Sequence, residues 1–262
     1  MVFLRRELTL FFIAMGFFTR IPMPQWVKVD SESLNQANRY FGLVGILVGG
    51  ISAAVYSLAI NFMPVSVSII LAMMVSVIAT GAFHEDGLAD TADGFGGGWT
   101  IADKLKIMKD SRIGTYGAVT LLLALLLKFQ LLMELALFDP QMLVPALIVA
   151  HCLSRVVAAS IIFTDTYVSD AYINEEKGSK SKPLAQNQTL NELLILLVTG
   201  LLVLWMSGIG STILIILGLG LTRWFLVRLF RRQVGGYTGD TLGAAQQVSE
   251  LVCYLILLGV LT

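Results

Sequence analysis

The chain has 262 residues, 56% hydrophobic and 14% charged, with a mean hydropathy of +0.79. That is too apolar for a soluble domain. The 18 Lys and Arg balance 18 Asp and Glu, so bulk charge gives no footing for a nucleic-acid partner, and none is expected.

From the N-terminus, the first apolar run covers residues 8–18. It is shorter than the ~20 residues that cross a bilayer core, and it reads as an interfacial or re-entrant helix. Arg5, Arg6 and Glu7 precede it and no A-x-A-like site follows, so no cleavable signal is expected. Seven candidate spans follow, at residues 41–60, 64–83, 118–138, 142–163, 193–206, 211–227 and 248–261. The fifth and seventh are short and need flanking residues or partial crossing. The expected fold class is all-α: a polytopic integral membrane helix bundle of about seven spans plus the short N-terminal helix. No linker marks a second domain, so residues 1–262 read as one membrane-embedded unit.

The connections alternate. Those at 61–63, 139–141 and 207–210 are tiny and hold no Lys or Arg; those at 19–40, 84–117, 164–192 and 228–247 are long. Apart from Lys128, Arg155 and Arg223, every Lys and Arg lies in the long loops or at the N-terminus. The positive-inside rule places those loops in the cytoplasm. Every polar segment then faces one side, whereas a transporter favours polar groups at the midplane. Cys152 and Cys253 lie in apolar runs and read as small core hydrophobes. The stretch at 174–182 reads as a solubilising loop in preference to a lid carrying Lys180 or Lys182. The Gly-rich segment 42–50 suits packing on a neighbouring helix, in this chain or in another copy of a homo-oligomer.

The segment from His84 to Gly98 carries Glu85, Asp86, Asp90 and Asp93 within nine residues. On a helix, Asp86, Asp90 and Asp93 share one face at i, i+4 and i+7. Such a crowd of carboxylates repels itself unless a cation lies among them. Hard oxygen ligands suit Mg²⁺, which joins a few carboxylates to substrate phosphates. The expected metal ligands are Glu85, Asp86, Asp90 and Asp93, with Asp86 and Asp90 central to catalysis. Gly94 and Gly97 allow a backbone cradle for phosphate oxygens. In the next polar segment Asp110 is a further candidate at the metal site, and Arg112 a bidentate phosphate clamp. Gly236, Thr238 and Asp240 form a third polar cluster, placed directly before an apolar run as the first cluster is placed after one, and Asp240 is the alternative to Asp110 as the contributor to the metal site from another loop. Arg155 is buried in the fourth span and is expected to face the acids or a phosphate, because an unpaired Arg in lipid costs several kcal/mol. His151, one turn deeper, reads as a packing group, and Lys128 and Glu134 do not pair with each other. Arg20 and Arg39, at the two ends of a polar loop, complete the candidate substrate contacts.

At these residues the sequence resembles the cobalamin (5′-phosphate) synthase family, the adenosylcobinamide-GDP ribazoletransferases. The likeness runs through Phe17–Pro22, Phe83–Gly98, Asp110–Gly114, Arg155 and Gly235–Ala244. The Glu-Asp-Gly-Leu-Ala-Asp-x-x-Asp-Gly core carries most of it. The resemblance implies a Mg²⁺-dependent enzyme of a bacterial or archaeal cytoplasmic membrane, with its active face cytoplasmic. It implies adenosylcobinamide-GDP and α-ribazole, or α-ribazole 5′-phosphate, as substrates, with GMP released beside the cobalamin product and membrane lipid as surroundings. The residues alone support metal-assisted phosphoryl chemistry at a membrane face. Two alternatives remain at this point: a CDP-alcohol phosphatidyltransferase-like lipid enzyme, although no Arg stands at its expected place, and a divalent-cation transporter. A non-catalytic scaffold would tolerate replacement of the acids and glycines.

Overall fold

The structure is a computed structural model that describes residues 2–168 and 189–261. The expected loop at 174–182 lies outside the described residues. The rest is all-α: α1 (Val2–Phe18), α2 (Ser31–Ala37), α3 (Phe41–Ala59), α4 (Val65–Thr80), α5 (Phe83–Gly97), α6 (Ile101–Met108), α7 (Thr115–Phe138), α8 (Leu143–Ile161), α9 (Leu190–Leu204), α10 (Ile209–Val234) and α11 (Gly239–Leu261). Six helical stretches (α2 running through a turn into α3, and α7 to α11) are long and apolar enough to cross a membrane. The bent pair of α4 and α5 is a seventh candidate. Large apolar side chains stand exposed along them, such as Leu122 and Leu126 on α7, Leu201 on α9 and Leu217 on α10. In a soluble protein these would be a liability; against lipid they are the expected outer surface.

The helix α8 is the central post, buried along almost its whole length. Small residues on α3 let it lie directly on α8. A β-carbon at Gly45 would stand 2.3 Å from the His151 carbonyl oxygen, and one at Gly49 2.8 Å from the Ile148 α-carbon. The glycine stripe of α3 is therefore used inside the chain. Cys152 and Cys253 are buried free thiols, as expected of core hydrophobes.

Two expected loops are largely helical, and a third is helical in part. Residues 84–117 form α5 and α6, the latter started by a capping box between Thr100 and Asp103. Residues 228–247 are the end of α10, a four-residue break and the start of α11. Residues 31–40 of the first long loop are helical too. Hydropathy reports apolar runs, and a polar helix beside a span escapes it. The second span also ends early. Gly81 and Ala82 both adopt left-handed backbone (φ 65° and 59°), and the chain turns by 85° between α4 and α5. We read α4 as the crossing segment and α5 as lying at its end.

Candidate active site

The acidic segment sits on α5, held against the first turns of α11. The contact is backbone to backbone: a β-carbon on Gly87 would stand 2.8 Å from the Asp240 carbonyl oxygen. The start of α11 is shaped by Thr238, whose Oγ1 accepts from Thr241 N at 3.2 Å, while Thr238 N donates to Thr241 Oγ1 at 2.8 Å. Asp240 follows within the first turn, on the acid-favouring end of the helix. Asp86, Asp90 and Asp240 thus come within electrostatic reach of one another. Asp86 is exposed, and Asp90 and Asp240 are half-buried. Burial first, then the charges of Asp86, Asp240 and Asp93, pushes the Asp90 carboxyl up to about 7.

The four expected metal ligands therefore divide. Asp86 and Asp90 remain on the open face. Asp93 is spent elsewhere: its Oδ2 accepts from Gly114 N at 2.7 Å and its Oδ1 from Gly117 N at 2.8 Å, capping α7. Glu85 turns inward, where its Oε1 accepts from Gln247 Nε2 at 3.0 Å. Asp240 lies within electrostatic reach of both Asp86 and Asp90. Among the described residues no group of three His, Cys, Asp or Glu side chains closes around one point. The donor chemistry still fits Mg²⁺, which takes one or two carboxylates and leaves its other positions to water and substrate phosphate.

The other expected contact residues make the following interactions in the structure. Gly94 seats α6, where a β-carbon would stand 2.5 Å from Met108 Cγ, and Gly97 faces Ile107 Cδ1 at 3.5 Å. Gly236 admits the strand-like pairing of Tyr167 with Tyr237; a β-carbon there would stand 2.1 Å from the Thr166 carbonyl oxygen. Arg39 bridges Glu7 of α1 at 3.4 Å and Glu192 of α9 at 3.2 Å. Arg20 is exposed and packs on Gly81 at the elbow before α5. Arg112 grips Asp110 through Nε and Nη2, the latter at 2.6 Å, on an exposed turn. That grip holds the Asp110 carboxyl down at about 2.

Arg155 does not reach the open face. It is 1% exposed, and its Nη1 donates to the His151 carbonyl at 2.8 Å and lies 3.2 Å from His151 Nδ1. Near it lie Glu250 and Tyr254, and Glu250 is joined in turn to Lys128 and Gln246, and Gln246 to Gln247; the sequence reading left these groups without a role or assigned them to a loop. A signal for them exists, since polar and charged residues inside apolar helices mark partners or function. Reading 228–247 as a loop hid Gln246 and Gln247.

The cobalamin-5-phosphate synthase family model matches residues 10–258. The chain is 68% identical over 256 residues to the adenosylcobinamide-GDP ribazoletransferase of Shewanella woodyi, covering 98% of each chain. It is 65% identical to that of Shewanella halifaxensis, over 97% of this chain and 96% of the relative. The Shewanella pealeana protein of the same name is 64% identical over 97% of this chain and 96% of its own. No solved structure matches the chain.

Proposed function

The chain belongs to the cobalamin-5-phosphate synthase family, and from that premise we propose that it joins adenosylcobinamide-GDP to α-ribazole, or to α-ribazole 5′-phosphate, with release of GMP. The convergence of Asp86, Asp90 and Asp240 across the contact of α5 with α11 carries this reading. The family match supports neither the lipid-transferase nor the cation-transporter alternative. The sidedness of Lys and Arg supports a cytoplasmic active face in the cytoplasmic membrane.

Mg²⁺ would be held among Asp86, Asp90 and Asp240 by one or two of their carboxylates, and when bound would neutralise charge on the pyrophosphate oxygens and on the departing GMP. In the reaction the ribazole 5′ oxygen forms a bond to the phosphorus on the cobinamide side. The bond from that phosphorus to the bridging oxygen breaks, and GMP leaves with that oxygen. Three carboxylates exceed the one or two that a magnesium ion takes beside substrate phosphate. One is left to accept the proton of the attacking hydroxyl. Arg112, on its exposed turn, clamps the phosphoryl oxygens by exchanging Asp110 for substrate.

The test is GMP release by purified protein from adenosylcobinamide-GDP and α-ribazole, with and without Mg²⁺. Asp86→Asn and Asp90→Asn should remain folded in the membrane and lose roughly a hundredfold or more in rate. Wild-type turnover by either variant refutes the assignment of the acids.

A further inference from the structure

Ionised groups buried among membrane helices are rare unless they pair or serve a function. Behind the acidic face, Lys128 of α7 and Glu250 of α11 form an ion pair of 2.6 Å, their side chains 4% and 1% exposed. Gln246 Nε2 donates to Glu250 Oε2 at 2.8 Å. Gln247 Nε2 donates both to Gln246 Oε1 and to Glu85 Oε1, each at 3.0 Å. A connected polar path therefore runs from α7 through α11 to α5. Arg155 of α8 stands beside it, within electrostatic reach of Glu250 and Glu85. Among the described residues no carboxylate lies within 4.0 Å of its guanidinium. The signs balance, with Lys128 and Arg155 against Glu250 and Glu85. In a low dielectric, loss of one member leaves a charge that the others cannot screen.

Glu85 directly precedes Asp86. Neighbours on an α-helix point about 100° apart, so Glu85 faces inward where Asp86 faces outward. Among the described residues neither Glu85 Oε2 nor Arg155 Nε, both buried, has a hydrogen-bond partner, and a buried polar atom is left so only at a cost. The lattice holds Glu85 through its other oxygen, which accepts from Gln247 on α11, beside the close contact of Gly87 with the same helix. Asp86 and Asp90 lie on α5 with Glu85.

We propose that Glu85 is a positioning residue, not a metal ligand: tied through Gln247 to the buried lattice of Lys128, Glu250 and Arg155, it sets where Asp86 and Asp90 stand opposite Asp240. The proposal rests on the metal-binding reading of those three aspartates. It also makes Arg155 a member of the lattice and not a phosphate clamp.

The experiment measures Mn²⁺ affinity of the full chain in detergent by electron paramagnetic resonance without substrate, together with kcat, KM and Tm. Gln247→Leu, which breaks the tie but leaves every charge in place, and Glu85→Ala should each lower kcat and Mn²⁺ affinity about tenfold or more. KM should move little. The double variant should be no worse than the more affected single one, because both act through one contact. Glu85→Gln, which keeps the acceptor for Gln247, should recover part of the Glu85→Ala loss. Loss of Mn²⁺ binding in Glu85→Gln beside wild-type affinity in Gln247→Leu makes Glu85 a ligand and overturns the proposal. A fall in Tm alone, with kcat and Mn²⁺ affinity unchanged, makes the tie merely structural and overturns it too. If Glu85→Ala fails to accumulate, the charge-balanced Glu85→Gln/Arg155→Gln variant should accumulate, and its failure refutes the balanced lattice. Asp86→Asn is the control: wild-type Mn²⁺ affinity there sinks the metal reading itself, while the coupling of Glu85 to Gln247 is still read from Tm.

Discussion

Gly87 of α5 and Gly243 of α11 meet so closely that a β-carbon on either would stand 3.2 Å from the α-carbon of the other. This approach brings carboxylates from distant parts of the chain onto one face. Gly87→Ala should push α5 away from α11, costing about 1–3 kcal/mol of stability and most of the GMP-releasing activity. Gly50→Ala, where a β-carbon meets open space, should change neither. Thermal unfolding in detergent and a GMP assay on both variants check this; equal behaviour of the two removes the close approach from the argument.

The raised carboxyl of Asp90 makes the effect of magnesium depend on pH. Its group titrates near 7 in the fold against an ordinary 3.8. Between those values the folded chain holds a proton that the unfolded chain has released, so stability without metal falls as pH rises through that window. Above it the cost of ionising Asp90 is complete. Magnesium offsets that charge, so it should raise Tm more at about pH 8 than at about pH 6. An equal rise at both values contradicts Asp90 as part of the cation site.

Arg112 is 87% exposed and grips only the neighbouring Asp110. An ion pair so placed is screened by water and does little for the fold. Arg112→Ala should therefore leave Tm unchanged while raising KM for the GDP-bearing substrate about tenfold, as loss of a bidentate phosphate contact does. Steady-state kinetics with varied adenosylcobinamide-GDP decide it, and an unchanged KM leaves Arg112 as a surface residue.

Arg39 calls for the opposite result. It joins α1 to α9 through Glu7 and Glu192, with side-chain exposure of only 12%. Arg39→Ala should cost about 1–3 kcal/mol through the carboxylates it leaves unpaired, with KM for both substrates unaltered. A raised KM at unchanged Tm returns Arg39 to the substrate site.

Much of the architecture is legible in the residue order. Apolar runs announce the crossing helices, and the placement of Lys and Arg sorts the connections into long polar ones and bare ones. The i, i+4 spacing of Asp86 and Asp90 correctly puts them on one face. Asp93 also stays within electrostatic reach of Asp90, but spacing does not reveal that the amides of Gly114 and Gly117, at the start of a different helix, bond its carboxylate. The polar helices α5, α6 and the first turns of α11 are hidden for a different reason: hydropathy windows see apolar length and not backbone hydrogen bonding. Gly94 looks like part of a phosphate cradle by composition, yet Met108 of α6 fills the space beside it.

The sequence by itself determined a helical chain with several segments apolar enough to cross a membrane and with its Lys and Arg gathered in alternate connections, since hydropathy and charge placement are properties of each segment alone. It also determined that acids would crowd beside the bilayer. Only the tertiary structure decided which acids share the open face, recruiting Asp240 while turning Glu85 inward and committing Asp93 to a helix cap. The physical reason is that such choices are made by contacts between residues far apart in the chain, as when Gln247 bonds Glu85 and Gly243 meets Gly87. No local periodicity encodes where two helices will touch.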